Sequence, residues 1–371
     1  MSSAVYLDYN ATAPVRPEAA AATVKALALA GNPSSVHGFG RAARRCVEDA
    51  RDAVAALIGA APADIVFTSG GTEANALALS GAGRKRILVS AIEHDSVLAN
   101  AALDAETPRV PAAGNGVVDL DALDRLLAER GGQTLVSVML ANNETGVVQP
   151  VAEIARRAHA AGALVHCDAV QAAGKIPIDA RALGADLLSL SAHKLGGPQG
   201  VGALYVAERV ALTPSSLGGG QERGRRAGTE NVPGIAGFGA AAAAARRDLA
   251  AYARIADLRD AIEAAVLARS NRARIAGAEA PRLPNTSCIL LPGIASETQV
   301  MALDLAGIAV SAGSACSSGK VRPSHVLAAM GYAAEDASAA IRVSLGWASA
   351  AADVERFVEA WSAMAARRAA A

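Results

Sequence analysis

Short apolar runs alternate with longer helical stretches along much of the chain. The apolar runs are bounded by Gly, Ser or Asn and include DIVFTSGG, RILVSA, TLVSVML, ALVHCDA, DLLSLSAHK and GALYV. The stretches between them are rich in Ala, Leu and Arg, with apolar residues at helical spacing. Strands that alternate with helices are typical of a mainly parallel sheet covered by helices on both faces. The pattern therefore predicts an α/β fold.

The C-terminal part of the chain follows a different rhythm. From about Gly234 to Arg269 the pattern is mostly helical, and beyond it lie the strand-like runs SCILLPG, GIAVSAGSAC and IRVSLGW. We interpret the helical stretch as the link to a smaller C-terminal α/β domain.

Composition and charge exclude several classes of protein. The chain has 371 residues, of which 52% are hydrophobic, so it has ample material for a buried core and is not globally disordered. Its 35 Lys and Arg balance 35 Asp and Glu, which leaves no positive field for nucleic acid or an anionic membrane. The N-terminus, MSSAVYLDYNATAPVRP, lacks a basic segment followed by an apolar one. We therefore expect a cytoplasmic protein with neither nucleic acid nor membrane as a partner.

The four cysteines are far apart, at positions 46, 167, 288 and 316, without a C-x-x-C pair or zinc-like spacing to His. We expect neither a disulfide framework nor a metal site. Cys46 falls in a helical pattern, and Cys167 and Cys288 fall in strand-like runs, where cysteine is an ordinary small hydrophobe. Cys316 differs because its surroundings, SAGSACSSGK, are small, polar and rich in Gly. We expect its thiol to meet solvent.

A glycine-rich segment, TSGGTEANAL, follows the strand-like run DIVF. Ligands of parallel sheets gather at the carboxyl ends of the strands. Gly71 lets the backbone turn closely, and Thr72 would open a helix whose N–H groups and hydroxyl can meet a phosphate. Taken alone, the same residues are more often an ordinary helix N-cap.

Two further strand ends bear an acid and a lysine. Asp168 follows ALVHC, with Gln171 three residues on, and burial of such an acid is costly unless it meets a cation or hydrogen-bond donors. Lys194 ends the run SAHK after LLSL, although a lysine at this position is, taken alone, more often a surface charge. Together with the Gly-Gly-Thr segment, these residues predict pyridoxal phosphate. That cofactor needs a lysine amine, a carboxylate at its pyridinium nitrogen and a phosphate cradle.

Ten motifs in collinear order resemble the cysteine desulfurases of the NifS/IscS kind, which are class V, fold-type I pyridoxal-phosphate enzymes. The motifs are YLDYNATAP, NPSSVHGFGR, FTSGGTEANALAL, AIEHDSVL, LANNETGVVQP, HCDAVQAAGKIPID, LSLSAHKLGGPQGVGALYV, GGGQERGRRAGTENV, SAGSACSSGKVRPSHVLAAMG and IRVSLGW. The resemblance covers essentially the whole chain.

The resemblance implies roles in cofactor binding. Lys194 would form the Schiff base and move the substrate's Cα proton, Asp168 would keep the pyridinium nitrogen protonated, and Gln171 would donate to the ring O3′. His94 would stack on the ring and assist proton transfer, although a lone His at a strand end is more often a capping or packing residue. The phosphate would be bound by Gly71, Thr72, Ser191, His193 and, from the second subunit, Thr229.

It also implies how the substrate is held and attacked. Asn143 would face cofactor and substrate, and Arg342 would grip the substrate α-carboxylate; the alternatives are a turn residue and a buried ion-pair arginine. Cys316 would attack the substrate sulfur, leaving alanine and an enzyme persulfide, and could ligate an iron–sulfur cluster transiently with a scaffold protein. In isolation, a free surface thiol fits its loop equally well.

The expected molecule is a homodimeric cysteine desulfurase that supplies sulfur for iron–sulfur clusters or other sulfur-containing cofactors. We expect a large cofactor domain at 12–254 and a small domain formed by 1–11 and 255–371. A selenocysteine lyase, a class V aminotransferase and a non-catalytic sulfur carrier remain alternatives. The longer family members dock a scaffold partly through a polar tail, whereas this sequence ends at DVERFVEAWSAMAARRAAA. Docking through that tail is therefore not supported, and the acceptor protein stays unidentified.

Overall fold

The computed structural model describes residues 4–102, 107–313 and 323–369. The strands in these ranges are β1 (Val5–Tyr6), β2 (Ile65–Thr68), β3 (Arg86–Ser90), β4 (Arg109–Val110), β5 (Thr134–Met139), β6 (Leu164–Asp168), β7 (Leu187–Ser191), β8 (Gly202–Val206), β9 (Arg274–Ile275), β10 (Thr286–Leu290), β11 (Ile308–Ala309), β12 (Ser311–Ala312) and β13 (Ala340–Ser344).

The helices in the same ranges are α1 (Pro17–Leu27), α2 (Gly38–Leu57), α3 (Gly71–Gly81), α4 (Asp95–Ala101), α5 (Leu120–Arg130), α6 (Val151–Ala160), α7 (Val232–Tyr252), α8 (Ile255–Arg269), α9 (Ser296–Leu305), α10 (His325–Ala329), α11 (Ala334–Ser338) and α12 (Ala351–Ala369). The mostly helical stretch predicted near 234–269 is the pair α7 and α8. Within the described ranges, none of these helices combines the length and apolar character needed to cross a membrane.

The larger sheet has seven strands in the order β2-β8-β7-β6-β5-β3-β4. Strands β4, β3, β5, β6 and β7 run parallel, while β8 is antiparallel to both of its neighbours. Strands β5 and β7 are buried along their whole length, as expected for a sheet covered on both faces. The predicted α/β architecture with a mainly parallel sheet is confirmed.

Successive residues of β2 face two different hydrophobic cores, because side chains alternate across a strand. Phe67 packs edge-on against Phe238 of α7, with ring centroids 6.4 Å apart. Its neighbour Val66 belongs to the core on the opposite face, with Leu77 of α3. Helices therefore cover both faces of the sheet, and ligands can reach it only at its edges.

A second, four-stranded sheet in the order β12-β13-β10-β9 is antiparallel. Its core contains Phe357 and Trp361 of α12, both fully buried. The N-terminal residues Val5 and Leu7 lie in this same core, and β1 pairs with β11 in parallel. The first residues of the chain thus pack with the last hundred, while the exact bounds of the two domains stay a prediction.

A buried ion pair fixes the loop before α7 to the larger sheet. Both terminal nitrogens of the Arg51 guanidinium donate to Glu222, at 2.7 and 2.9 Å, and both side chains are at least nine-tenths buried. Glu222 also accepts from the backbone N–H of Phe67, at 2.9 Å. Glu222 and Arg223 both have left-handed backbone conformations, with φ of 46° and 57°. Such conformations are unfavourable for residues other than Gly, so the contacts around Glu222 must hold the loop in place.

Arg51→Leu should lower the free energy of unfolding by about 3–5 kcal/mol, because it leaves the Glu222 carboxylate buried without its cation. Denaturant unfolding at fixed protein concentration measures the change. Arg45→Leu is the matched control, since Arg45 is exposed on the same helix and should cost less than about 0.5 kcal/mol. Equal losses in the two variants would contradict the importance of this pair.

Candidate active site

A cavity of about 210 Å³ lies at the carboxyl edge of the larger sheet. Strand β6 ends there at Asp168, β7 ends at Ser191, and β2 ends shortly before α3 begins at Gly71. The cavity is lined by Gly71, Thr72, Asn75, His94, Ser96, Met139, Ala141, Asn143, Asp168, Val170, Gln171, Ser191, His193 and Lys194. The structure thus brings together every residue predicted to bind the cofactor, with the exception of Thr229.

The first turn of α3 approaches the end of β7 closely. A Cβ added at Gly71 would lie 3.0 Å from Val170 Cγ2 and 3.4 Å from Ser191 Cβ, so glycine is the residue that fits here without displacement. The first N–H groups of a helix have no partners within the helix and favour anions. Together with the Thr72 and Ser191 hydroxyls, this end of the cavity offers hydrogen-bond donors to a phosphate.

Asp168 is held by neutral donors at the end of β6. Its Oδ2 accepts from Asn75 Nδ2 at 2.8 Å, and its Oδ1 accepts from the backbone N–H of Val170 at 2.9 Å. Asn75 Nδ2 also donates to Ser96 Oγ, at 2.8 Å. A carboxylate has about four acceptor sites, so Asp168 retains acceptor capacity toward the cavity that it lines.

Lys194 follows β7 in a short 3₁₀ turn, Ala192–Lys194. Its Nζ donates to two main-chain carbonyl oxygens, those of Asn10 at 2.6 Å and Ala11 at 2.8 Å. The lysine predicted to bear the cofactor is therefore half-buried in the cavity wall rather than a surface charge.

Both predicted histidines line the cavity. His94 is the N-cap of α4, and its Nδ1 accepts from the backbone N–H of Ser96 at 3.1 Å. It therefore caps a helix and lines the cavity at once. His193 Nδ1 lies 3.1 Å from Thr12 Oγ1. Burial lowers the pKa of His193 to about 4, with a further contribution from Lys194, so its ring is neutral at pH 7.

The Arg342 side chain is hydrogen-bonded to the main chain of Asn143. The main-chain carbonyl of Asn143 accepts from Arg342 Nη1 at 3.1 Å, while Arg342 Nη2 donates to Asp8 Oδ1 at 2.8 Å. Arg342 is 2% exposed, and its Nε has no hydrogen-bond partner among the described residues. The Arg342 guanidinium thus forms a buried ion pair, which the sequence offered as the alternative to substrate binding. It also contacts Asn143, which lines the cavity.

Two of the described residues with predicted roles, Arg342 and Thr229, do not line the cavity. Cys316 falls outside the described residues. Thr229 is exposed in the single chain and does not line the cavity. Of the other cysteines, Cys167 and Cys288 are fully buried, and burial raises the pKa of both thiols. They are therefore poor nucleophiles.

Several polar residues of the site were missed by sequence reasoning. Asn75 lies one helical turn after Gly71, on the face of α3 toward the sheet, and Ser96 is the second residue of α4. Asn10 sits within the quoted motif YLDYNATAP without an assigned role, as Lys175 does in HCDAVQAAGKIPID. Asn75 lies four residues after Gly71, and Lys175 lies four residues after Gln171. This spacing is the signal that could have pointed to Asn75 and Lys175.

Glu93 is a fully buried carboxyl group beside the site. Its Oε1 accepts from Ser90 Oγ at 2.5 Å and from the backbone N–H of Met139 at 2.8 Å. Burial raises the pKa of Glu93 from 4.5 to about 8, and the charge of Asp168 acts in the same direction. At pH 7 Glu93 is therefore mostly protonated, and Asp168 is the acidic residue among the described residues that line the cavity.

Glu93→Gln should remove a pH dependence of stability. In the wild type, Glu93 keeps its proton up to about pH 8 in the folded state, but only up to about pH 4.5 in the unfolded state. This difference stabilises the folded state fully below pH 4.5, and the stabilisation is lost as the pH rises through 8. Between pH 5 and pH 8, the wild type should lose about 3–4 kcal/mol more stability than Glu93→Gln. Denaturant unfolding across this range, with the exposed Glu208→Gln as control, measures it. Parallel curves for wild type and Glu93→Gln would contradict the protonated state.

Comparisons with known proteins agree on one family. The aminotransferase class-V family model matches residues 5–357. The cysteine desulfurase of Cereibacter sphaeroides is 48% identical over 367 residues, which cover 96% of this chain and 94% of that protein. The cysteine desulfurase of Rhodobacter capsulatus is 47% identical over 366 residues, with coverage of 95% and 94%.

A solved structure extends the likeness to the fold. The X-ray structure of a NifS-like protein from Rickettsia africae superposes with a TM-score of 0.90 and 36% identity, covering 97% of this chain and 99% of that one. The resemblance predicted from the ten motifs is confirmed.

Proposed function

This chain belongs to the class-V aminotransferase family, and we propose that it is a pyridoxal-phosphate-dependent cysteine desulfurase. It would convert L-cysteine and its own thiol to L-alanine and a persulfide, from which sulfur passes to an acceptor for iron–sulfur clusters or other cofactors. The observation that carries the proposal is the convergence of Lys194, Asp168 and the Gly71 helix start on one cavity, each from a separate strand end.

The residues present fit pyridoxal phosphate. The close approach of Gly71 to Ser191 forms a cradle that a larger residue would fill, and this cradle is rich in donors for the phosphate. Asp168 lines the same cavity with acceptor capacity to spare, as a protonated ring nitrogen requires. When bound, the cofactor supplies a conjugated ring that withdraws electrons from the substrate's Cα.

Within this proposal, Lys194 attaches the cofactor and moves the proton at the substrate's Cα. In the structure its Nζ donates to the main-chain carbonyl oxygens of Asn10 and Ala11, and these hydrogen bonds would have to break for the amine to react. Asp168 would hold the proton on the ring nitrogen, and Gln171 would donate to the ring oxygen. His94, fixed by its contacts with Ser96, lines the same cavity and would assist proton transfer.

Arg342 and Asn143 would orient the substrate's α-carboxylate. Arg342 already donates to one carboxylate, that of Asp8, at 2.8 Å, and its Nε, which has no partner among the described residues, adds donor capacity. A planar guanidinium binds a carboxylate through two parallel hydrogen bonds, which a lysine cannot reproduce.

Arg342→Lys should raise KM for L-cysteine by tenfold or more while leaving kcat little changed, because the lost hydrogen bond serves ground and transition states alike. The lysine keeps a positive charge opposite Asp8, which limits the loss of stability. Steady-state kinetics and the melting temperature separate the two effects, with the exposed Arg274→Lys as control. An unchanged KM would assign Arg342 to structure alone.

Cys316 is the proposed sulfur acceptor. Its thiolate attacks the substrate sulfur, the new S–S bond forms as the C–S bond breaks, and the carbon takes up a proton to complete alanine. The buried Cys167 and Cys288 are excluded from this role by burial and by the raised pKa of their thiols.

The decisive experiment combines product analysis with Cys316→Ala. Wild type should give alanine and, with a thiol reductant, sulfide from L-cysteine, whereas Cys316→Ala should bind the cofactor normally and release no sulfide. Without reductant, the extra sulfur should map to the Cys316 peptide. Cys46→Ala is the matched control, because Cys46 is a partly exposed thiol on α2 and should be dispensable. Sulfide release by Cys316→Ala near the wild-type rate would refute the mechanism, and keto-acid products would indicate an aminotransferase.

We also infer a homodimer and a division into two domains. Thr229 is exposed and absent from the lining of its own cavity, as expected if it serves the cavity of a second subunit. A division into 12–254, and 1–11 with 255–371, is supported by one hydrophobic core around Phe238 and another around Trp361, which includes Val5 and Leu7; Leu283 joins the first core and Tyr252 the second.

A further inference from the structure

A second buried lysine, Lys175, lies behind the cavity and has no part in the reaction outlined above. It is 4% exposed. Its Nζ donates to Gln171 Oε1 at 2.9 Å and to Asn10 Oδ1 at 2.8 Å. Burial lowers the pKa of Lys175 well below its ordinary value, and Lys194 and Arg342 act in the same direction. Burying a lysine costs free energy, and the hydrogen bonds to Gln171 and Asn10 offset part of that cost.

The contacts fix which way two side-chain amides face. Gln171 Nε2 donates to the main-chain oxygen of Asn10, at 3.0 Å, and a carbonyl oxygen can only accept. Gln171 must therefore turn its Oε1 the other way, toward Lys175. The same holds for Asn10, whose Nδ2 donates to the main-chain oxygen of Asn143 at 3.2 Å and whose Oδ1 faces Lys175. Lys175 supplies a donor to each amide oxygen.

We propose that Lys175 is a positioning residue that holds the Gln171 amide with its N–H side toward the cavity. The Gln171 nitrogen has two hydrogens, and the bond to Asn10 uses one. The second can donate to an oxyanion in the cavity that Gln171 lines. Without Lys175, Oε1 would be buried with no donor, and an amide that reverses would set its oxygen against both the Asn10 carbonyl and the oxyanion. This inference rests on the proposed function, because the oxyanion is the ring oxygen of the cofactor.

The test follows the visible absorbance of the cofactor-loaded enzyme as a function of pH. A donor to the ring oxygen stabilises its anionic form and lowers the pKa of the chromophore. Lys175→Met removes the donor to Gln171 with little change in volume, and should raise that pKa by about one pH unit, as expected for the loss of one hydrogen bond to a charged group. The exposed Lys85→Met is the matched control and should cause no shift.

A double-mutant cycle with Gln171→Met separates positioning from simple charge. The other charged and titratable groups around the site are the same in all four proteins: Glu93, His94, Glu144, Asp168, His193, Lys194 and Arg342. If Lys175 acts through Gln171, adding Lys175→Met to Gln171→Met should cause no further shift of the chromophore pKa. A full shift in the Gln171→Met background, or none in the wild-type background, would overturn the proposal.

Two further measurements keep the outcome decisive. If Lys175→Met does not fold, Lys175→Gln retains an uncharged donor, and its chromophore pKa should match the wild type; a rise as large as that of Gln171→Met would contradict the proposal. A failure of the proposed function is distinguishable, because wild-type protein mixed with pyridoxal phosphate would then develop no absorbance band linked to Lys194.

Discussion

The site depends on one buried amide, because every polar group of Asn10 is hydrogen-bonded to a different part of the fold. Asn10 is 1% exposed and lies where the N-terminal segment passes between the two sheets. An unsatisfied polar atom at such a depth would cost about 1–3 kcal/mol, so its partners restrict one another's positions. Those partners are Asn143, Gln171, Lys175, Lys194, Asn285, Thr286 and Ser344.

The same low-polarity surroundings control the protonation of the acids near the cavity. Burial raises the pKa of Glu93 to about 8 and that of Glu144 to about 7. Asp168 accepts two hydrogen bonds, from the Asn75 side chain and the Val170 backbone N–H, and it lines the cavity, whereas Glu93 is fully buried in the protein interior. The structure thus separates one acid available to a ligand from neighbours that are mostly or partly neutral at pH 7.

The positions of the chemically important residues along the elements could be predicted from the sequence. Asp168 and Lys194 follow apolar runs that form neighbouring parallel strands, and Gly71 begins a helix after a third run. Because parallel strands end at the same edge of a sheet, this local pattern was enough to bring these residues together. The second role of His94, as a helix cap, was likewise an alternative that the sequence offered.

The sequence by itself thus determined the α/β fold, the edge of the sheet that holds the cavity and most of the residues that line it, because these follow from local periodicity and strand direction. Only the tertiary structure decided the hydrogen-bond partners of Asn10 and Lys175, the burial that keeps Glu93 protonated, and the pairing of Arg342 with Asp8. Those contacts join residues up to 334 positions apart. Hydrogen-bond partners and desolvation depend on packing in three dimensions, and no periodicity along the chain encodes them.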